Sequence, residues 1–284
     1  MTTLSIHHQE DLGRFSAQVD GHALELDYRR RDDQLIITHT GTAPALRGRG
    51  LAGELVLHVL QWLAPQALQL VPTCSYVASY LDRHTRWQRL RLPAAAQTVL
   101  NYWFGPLDSP TDQQIRTLWF QKSDSTDADI RTRFGPLLEQ ALAGGLRDWD
   151  ESALGRLARI VVLDQFTRNS LRSSARAFAG DALALPAALA LLDSADYASL
   201  QPLQRWFALL PLEHAEDRTT QQRSVSEFAA LAAADARLAE ALDYAHRHQH
   251  VIERFGRFPH RNALLGRVSS ADELAYLAQP GAGF

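Results

Sequence analysis

The pattern of apolar and polar residues in the first forty positions indicates β-structure, and residues 24–28 alternate with the period of two that is typical of a half-buried strand. Strands are predicted at residues 15–19 and 24–28, joined by the turn dipeptide Asp20-Gly21, and a more continuously apolar strand follows at 35–40. A fourth short strand is predicted at 68–71. The pattern therefore indicates a mixed, mostly antiparallel sheet in this part of the chain.

Apolar residues recur with a helical period on both sides of the last of these strands and through the rest of the chain. One amphipathic helix is predicted from residue 51 to about 64, where Pro65 ends it, and a shorter one at 75–84. After residue 97 apolar residues recur with a period near 3.6, which predicts helices and no strand. Those helices are expected at residues 112–120, 127–143, 152–164, 183–192, 204–210, 219–233, 237–253 and 271–277.

This change of period divides the chain into two predicted domains. Residues 1–93 are expected to form an α/β domain, and residues 94–97, after Pro93, a linker. Residues 98–284 are expected to form an all-α bundle of antiparallel helix pairs. The predicted fold class is therefore an α/β domain followed by an all-α domain.

Composition limits the partners and the compartment. Of the 284 residues 46% are hydrophobic and 21% are charged, and the net charge is -3, as in an ordinary globular protein. These values predict neither a nucleic-acid partner nor a membrane partner, and no apolar run is long enough to span a bilayer. Cys74 is the single cysteine, which excludes an intrachain disulfide. Without an N-terminal signal pattern, the expected location is the cytoplasm.

A glycine-rich turn joins the third strand to the first helix, and it consists of Arg47, Gly48, Arg49, Gly50, Leu51 and Ala52. A strand, a glycine turn and a helix start in that order can hold phosphate, because the turn exposes N–H groups and the helix N-terminus carries partial positive charge. Arg47 and Arg49 can add charge-assisted bonds to phosphate oxygens. The alternative is an ordinary tight turn with solvated arginines, since short glycine motifs have many false positives.

Further motifs on both sides of the turn extend this pattern. They are His39-Thr40, the spacing of Arg47, Gly50 and Ala52, and a Val-Pro-x-Cys-x-Tyr-Val segment at 71–77 followed by Tyr80 and His84. On these residues the segment 10–92 resembles the GNAT superfamily of acetyl-CoA-dependent N-acetyltransferases, and most closely its short single-domain branch. The resemblance implies that the pyrophosphate of acetyl-CoA, the cosubstrate, binds the N–H groups of the 47–52 turn.

The same resemblance implies a reaction and its residues. Acetyl-CoA would lie between the 35–40 and 68–71 strands, a deprotonated amine would attack the thioester, and a general acid would protonate the departing thiolate. Tyr80 is the candidate acid, with a core aromatic as the alternative. His39 is a candidate base or a structural strand histidine. Cys74 is a candidate nucleophile, a small buried hydrophobe or, as we favour, a thiol that lines the ligand site.

The helical part carries a second set of motifs, at residues 102–105, 119–120, 163–169, 211–217 and 254–262. On these segments residues 98–284 resemble a bacterial family catalogued only as a domain of unknown function (924), with a tetratricopeptide-like helical fold. Thr167 departs from that family, in which Pro is usual at this position. The resemblance implies a fold and no established activity.

Charged residues and histidines concentrate in these motifs. The candidate site residues are Asp164, Arg168, Asn169, Glu213, His214, Asp217, Arg254, Arg257, His260 and Arg261. If their loops converge, they form a charged pocket for an anion or a carboxylate. The interpretation that we favour is a network of Arg–carboxylate pairs that fixes helix ends, with Phe166, Phe255 and Phe258 in the core.

A metal site is not predicted here, because His214 and the His248/His250 pair lack a cysteine partner and two or three ligands would have to share one face. Four tryptophans are expected mainly to pack helices, and if exposed they could line a groove for a peptide partner; they are Trp103, Trp119, Trp149 and Trp206.

Three functions follow from these patterns. The first is acetyl transfer to an amine of a small molecule or a protein, with the helical domain selecting the acceptor. The second is a helical binding or scaffold protein whose first domain binds CoA without catalysis. The third, which we favour least, is a hydrolase site in the helical domain that uses Glu213, His214 and Asp217.

Overall fold

A five-stranded sheet forms from consecutive strands, in the order β1-β2-β3-β4-β5. The strands are β1 Ile6–Gln9, β2 Arg14–Val19, β3 His22–Arg31, β4 Gln34–Thr42 and β5 Gln69–Pro72. Strands β1 to β4 are antiparallel to their neighbours, whereas β5 is parallel to β4, because helix α1 (Leu51–Leu63) carries the chain back between them. The computed structural model that shows this sheet describes residues 4–283.

One face of the sheet is apolar and is covered by α1. Leu24 and Leu26 of β3 and Leu35 and Ile37 of β4 have no exposed surface. The buried face of α1 consists of Leu55, Val56, Val59, Leu60 and Leu63. Burial of one such side chain contributes roughly 1.5–3 kcal/mol. This packing fixes the position of α1, and with it the glycine turn at its N-terminus.

Three further segments complete the first unit, and they are α2 Ser75–Arg83, a 3-10 helix at Thr85–Arg91 and α3 Ala94–Phe104. Residues 94–97, predicted as a linker, instead form the first turn of α3. Gln97 explains why, because its buried amide Nε2 lies 2.8–3.1 Å from the carbonyl oxygens of Leu68, Leu90 and Leu92. These hydrogen bonds hold α3 against the residues next to β5 and at the end of the 3-10 helix.

Residue contacts divide the chain into two units, Met1–Gln114 and Ile115–Phe284. The helices of the second unit are α4 Asp124–Leu142, α5 Ala153–Ile160, α6 Thr167–Ser170, α7 Asp181–Leu192, α8 Pro202–Glu213, α9 Arg218–Ala234, α10 Ala239–Phe255 and α11 Ala271–Leu277. No strand occurs between residues 115 and 283, so the predicted fold class is confirmed. The helix predicted at 112–120 is wrong, since that segment holds turns and a 3-10 helix at Thr117–Trp119.

A π-helical stretch, Val161–Phe166, joins α5 to α6 and is buried throughout. Such stretches are rare and often occur at functional sites. Side chains bond carbonyls of this stretch: Thr167 Oγ1 donates to the Leu163 oxygen at 2.6 Å, and the Arg168 guanidinium donates to the Asp164 oxygen at 2.8 Å. The backbone around Asp164 is therefore held on several sides.

Asp127 joins α4 to α6 through hydrogen bonds from two partners. Its buried carboxylate accepts from Asn169 Nδ2 at 3.0 Å and from two nitrogens of Arg172 at 2.8 and 3.0 Å. Burial raises the pKa of Asp127, but the bonds from Arg172 and Asn169 outweigh it and the pKa lies below its ordinary value. The charged form is therefore favoured in the folded state.

Replacement of this carboxylate is expected to matter less in acid. A folded pKa below the unfolded value stabilises the fold above about pH 4, and the contribution is lost as pH falls through the folded pKa. Asp127→Asn should therefore destabilise the protein at pH 7 and differ less from wild type at pH 3, as measured by urea unfolding. A stability difference that is the same at both pH values would contradict this role of the charge.

One segment, Ala175–Leu192, has the length and hydropathy of a membrane span, which the sequence pattern did not predict. The structure divides it into a 3-10 helix, Ala175–Phe178, and the 12-residue α7. A 12-residue helix is about 18 Å long, whereas the apolar core of a bilayer is about 30 Å thick. Helix α7 packs against α5 and α8, and we interpret it as a helix of the bundle.

Candidate functional site

The glycine turn lies at the N-terminus of α1, where the strand–turn–helix order predicts it. Gly48 and Gly50 have left-handed backbone, with φ of +75° and +78°, and a Cβ on either would meet no atom within 4 Å. Gly50 is the N-cap of α1 and no side chain caps the helix there. The first N–H groups of a helix have no intrahelical acceptor, so this exposed turn offers donors at the positive end of α1.

The two arginines of the turn have different surroundings. Arg49 forms an ion pair with Asp20 in the β2–β3 turn, with 2.7 Å between nitrogen and oxygen. Arg47 is exposed. An exposed pair contributes little to stability, so Arg49 can exchange Asp20 for a phosphate at small cost.

Strands β4 and β5 separate beside this turn. Their pairing ends at Ile37 and Pro72, although β4 continues to Thr42 against β3. The Ile37 carbonyl accepts the N–H groups of Thr73 and Cys74 at 3.0 and 3.1 Å, which ends the ladder. Beyond that point one edge of β4 has no strand partner among the described residues, as the GNAT resemblance implies.

Cys74 stands at this separation. It is the N-cap of α2, and its Sγ lies 3.5 Å from Thr40 Oγ1 on β4. Burial raises the pKa of the thiol, but its hydrogen bonds with Thr40 and with the N–H groups of Val77 and Tyr76 together outweigh this, so the pKa lies below its ordinary value. The thiol is partly buried between α2 and β4, which fits a residue that lines the opening.

Two tyrosines of α2 lie against the first turn of α1. A Cβ built on Gly53 would be 3.5 Å from Tyr80 Cε2 and 3.7 Å from the Tyr76 hydroxyl. Tyr80 is buried and stacks near His84, with ring centroids 4.1 Å apart, whereas Tyr76 is partly exposed. Burial raises the pKa of Tyr80, so the phenol carries its proton at neutral pH. Tyr76 was missed as a site residue, although its motif position was recognised.

His39 lies apart from this group. It pairs across the strands with Asp27, whereas Thr40 pairs with buried Leu26, so the two side chains occupy opposite faces of the sheet. His39 is exposed. The pKa of Asp27 lies below its ordinary value mainly because Arg14 Nε donates to its carboxylate at 2.6 Å, and His39 adds to this shift. The structure thus brings Tyr80 and Cys74 to the side of the turn and leaves His39 on the polar face.

In the second unit, two of the motif segments meet through Asp164 and His214. His214 Nδ1 lies 2.8 Å from Asp164 Oδ1, although 50 residues separate them, and Gln165 Nε2 donates to the other carboxylate oxygen at 2.6 Å. Burial raises the pKa of Asp164, but the interactions with Arg168, His214 and Gln165 together outweigh it and leave the carboxyl ionised. Burial and Arg168 lower the pKa of His214, and Asp164 opposes them. Neutral His214 therefore donates from Nδ1 to Asp164.

Two arginines surround this pair. Arg168 Nη1 lies 2.9 Å from Asp164 and 2.9 Å from Asp181 at the start of α7. Arg261 bonds Asp181 at 3.2 Å and the carbonyl of His214 at 3.0 Å. Asp164, Arg168, His214 and Arg261, four of the predicted site residues, thus form one hydrogen-bonded cluster.

Glu213 and His248 lie beside the cluster, and both are buried. Their side chains approach to 3.1 Å between Oε1 and Nδ1, and His248 Nδ1 also bonds the Tyr244 carbonyl at 2.9 Å. Burial and the charge of Asp164 raise the pKa of Glu213 to about 8. Burial and nearby His214 lower the pKa of His248 to about 3. Both groups are therefore uncharged at neutral pH.

The other predicted residues have separate partners. Asn169 bonds Asp127 on α4, and Arg257 bonds Glu273 at 2.7 Å. Asp217 is the exposed N-cap of α9, and the Arg254 guanidinium lies 4.6 Å from the Phe255 ring centroid. His260 is partly buried, and burial together with the charge of Arg261 lowers its pKa to about 4. These contacts fit the interpretation that much of the charge fixes helix ends.

The tryptophans mostly pack the core. Trp103, Trp119 and Trp149 are buried. Trp206 is half-buried and stacks on Phe120 with 5.0 Å between ring centroids, while Phe120 is 58% exposed. Phe120 and Trp206 thus leave some aromatic surface accessible in the second unit.

His248 joins the cluster but was not among the predicted site residues. Its position gives a signal in the sequence, because on α10 it follows Ala241 and Ala245 on the face that Ile252 continues. A histidine on an apolar helix face is either a hydrogen-bonded core residue or a ligand, and only the contact with Glu213 draws attention to it.

The family model described as "Bacterial protein of unknown function (DUF924)" matches residues 99–281, well over half of the chain. The chain belongs to the DUF924 family. A second model, described as "GCN5-related N-acetyl-transferase", matches residues 14–90, which contain strands β2 to β5, the glycine turn and α2. Both resemblances found in the sequence are therefore confirmed, and a GNAT-type domain precedes the DUF924 domain.

A solved structure supports the assignment of the second domain. "Structure of Protein of Unknown Function ATU0120 from Agrobacterium tumefaciens" is 32% identical with a TM-score of 0.57, and the match covers 65% of this chain and 97% of that one. No curated protein matches the chain. The DUF924 comparisons thus supply a fold, and the GNAT-type domain carries the evidence on chemistry.

Proposed function

We propose that the chain is an acetyl-CoA-dependent N-acetyltransferase, with its chemistry in the first unit. The observation that carries the proposal is the exposed glycine turn at the start of α1, beside the separation of β4 and β5. The match to a GNAT-type family model over residues 14–90 supports the same activity.

The turn has the properties that a pyrophosphate site requires. Gly48 and Gly50 leave space above the backbone, so phosphate oxygens can approach the N–H groups that begin α1. Each hydrogen bond to such a charged group contributes roughly 1.5–3 kcal/mol. Arg47 is exposed and Arg49 has an exchangeable partner, so both can add charge-assisted bonds.

The opening between the strands suits the extended part of the cosubstrate. Polar backbone groups on the unpaired edge of β4 from Thr38 to Thr42 can bond its amides, as a further strand would. Cys74 and Thr40 line the end of this opening. In this arrangement Cys74 contacts the ligand and forms no covalent intermediate.

The reaction then needs one proton donor in the protein. An uncharged amine attacks the thioester carbonyl, a C–N bond forms, and the C–S bond breaks to release CoA thiolate. Tyr80 keeps its proton at neutral pH and lies beside the first turn of α1, where it can protonate the thiolate. The amine gives up its proton to solvent, since His39 lies on the other sheet face. The DUF924 unit is proposed to bind the acceptor or a peptide partner.

The test is acetyl transfer by the full chain to a panel of amines, with CoA release as the readout. Tyr80→Phe is expected to lower kcat by about 10²–10⁴-fold, the range for a lost general acid or base, with little change in acetyl-CoA affinity. Tyr76→Phe is the matched control, since it removes a neighbouring hydroxyl of the same helix. A loss of kcat in Tyr76→Phe alone would move the role to Tyr76, and wild type that binds no acetyl-CoA in calorimetry would overturn the proposed function.

A further inference from the structure

We propose that Glu213, His214 and His248 of the second unit bind a divalent transition metal, with Zn²⁺ as the ion that their donor atoms suit best. This site is independent of the acetyl transfer proposed for the first unit. It also departs from the sequence pattern, which predicted no metal.

The three side chains converge from two helices. Glu213 ends α8, His214 follows it directly, and His248 comes from the middle of α10. One ligand atom from each lies within 4.8 Å of the other two. Ligand atoms around a tetrahedral zinc ion are about 3.4 Å apart, given bonds of about 2.1 Å. Small rotations of the three side chains, which move each ligand atom by less than an ångström, would therefore bring these atoms to the spacing that an ion requires.

Both imidazoles are oriented as metal ligands usually are. His214 Nδ1 donates to Asp164 at 2.8 Å, and His248 Nδ1 donates to the Tyr244 carbonyl at 2.9 Å. A ligating histidine almost always donates its other ring N–H to a carboxylate or a backbone carbonyl in this way. With the proton on Nδ1, the lone pair of each ring is on Nε2, and neutral imidazole binds a metal through its unprotonated nitrogen. Glu213 Oε1 lies 3.1 Å from His248 Nδ1, so the carboxylate has to turn toward the Nε2 side of that ring when the ion binds.

Glu213 supplies a second, independent observation. Its side chain is buried, with 4% of the residue exposed, and Oε2 has no hydrogen-bond partner among the described residues. A buried polar atom without a partner destabilises the folded state. A cation between Glu213 and the two imidazoles would take the place of the carboxyl proton, which passes to solvent, and would satisfy the oxygen that the surrounding helices leave unbonded.

The donor set indicates the kind of ion. Two imidazoles and one carboxylate suit zinc, whereas magnesium and calcium prefer oxygen ligands alone. Three protein ligands leave a fourth position for water or a substrate atom, as in catalytic zinc sites, whereas structural sites usually have four protein ligands. The His214 side chain is 15% exposed, so the cluster has a route to solvent.

The experiment is metal binding by the tag-free full chain after treatment with a chelator. Titration with Zn²⁺ in a calorimeter is expected to show one site per chain, and Co²⁺ is expected to give the intense visible bands of a four-coordinate N/O site. Glu213→Gln and His248→Gln should each weaken binding by about 100-fold or more, since changes outside the ligand set already cost 10–100-fold. Zn²⁺ should raise the Tm of wild type and not that of the variants.

Surface histidines provide the control. His246 and His250 lie on the same helix as His248 and are exposed, so replacement of both with Asn removes adventitious ligands and should leave the site intact. Equal Zn²⁺ binding by wild type and Glu213→Gln, or loss of binding in the His246/His250 variant, would overturn the proposal. If the Gln variants do not fold, the Co²⁺ spectrum of wild type decides, because an octahedral spectrum or no bound ion contradicts it.

Discussion

Gly50→Glu is expected to abolish acetyl-CoA binding and to leave the protein folded. The carboxylate would stand at the N-terminus of α1, where the pyrophosphate is proposed to bind, and would replace open space above the turn with bulk and negative charge. The helix itself tolerates an acidic group at this end. We expect Kd to rise at least about 100-fold, which corresponds to about 2.7 kcal/mol, as measured by calorimetry.

Backbone strain must be separated from charge in this test. Gly50 has φ of +78°, so any side chain there costs about 1–2 kcal/mol. Gly50→Ala introduces that strain without charge. Gly144→Glu introduces both at a turn of the second unit, where φ is +86° and a Cβ would meet no atom within 4 Å. Both controls should keep binding within about tenfold of wild type. A Gly50→Glu protein that binds as tightly as wild type would remove the turn from the proposed site.

Gly180→Ala is expected to produce the largest loss of stability among the glycine substitutions of the second unit. A Cβ on Gly180 would lie 1.9 Å from the Leu163 carbonyl oxygen in the π-helical stretch, and backbone cannot yield as a side-chain tip can. We expect a cost of about 3 kcal/mol in urea unfolding, at the upper end for overpacking. The hydrogen bond between Asp164 and His214 should weaken as well, because the same stretch presents Asp164.

The matched substitution is Gly135→Ala in α4, where a Cβ would meet no atom within 4 Å. Alanine has a higher helix propensity than glycine, which favours the variant. Pro136 follows, however, and disfavours a Cβ on the residue before it. The net change in unfolding free energy should therefore stay below about 1 kcal/mol. Similar unfolding free energies for the two variants would show that α7 can shift away from the Leu163 carbonyl at little cost.

Strand and helix periods predicted the first unit well because each element buries one face. The 24–28 and 35–40 predictions correspond to parts of β3 and β4, and the 51–64 prediction to α1. Strand β1 was missed because Ile6-His7-His8-Gln9 has almost no apolar pattern; His8 is held instead by a bond to Tyr28 and by its stacking on Phe15.

In the second unit local patterns did not report which helices meet. Motif residues were found at 163–169 and 211–217, but their meeting depends on the bond between Asp164 and His214, which no period reveals. The helix was predicted to end at Leu210, yet α8 runs through Pro211 to Glu213, and this last turn brings Glu213 to His248. Tertiary packing, which no local pattern encodes, determined both features.

A single residue of β4 decides which side chain faces Cys74 where β4 and β5 separate. The register of β3 and β4 shifts between Asp27 and Tyr28, so Thr38 has no partner of its own in the pairing. If Thr38 were paired without the bulge, strict alternation from Leu35 and Ile37 would turn His39 toward α1 and Thr40 away from it. The bulge thus decides whether a hydroxyl or an imidazole faces the thiol of Cys74, and deletion of Thr38 would remove the bulge while keeping the Thr40 hydroxyl on that side.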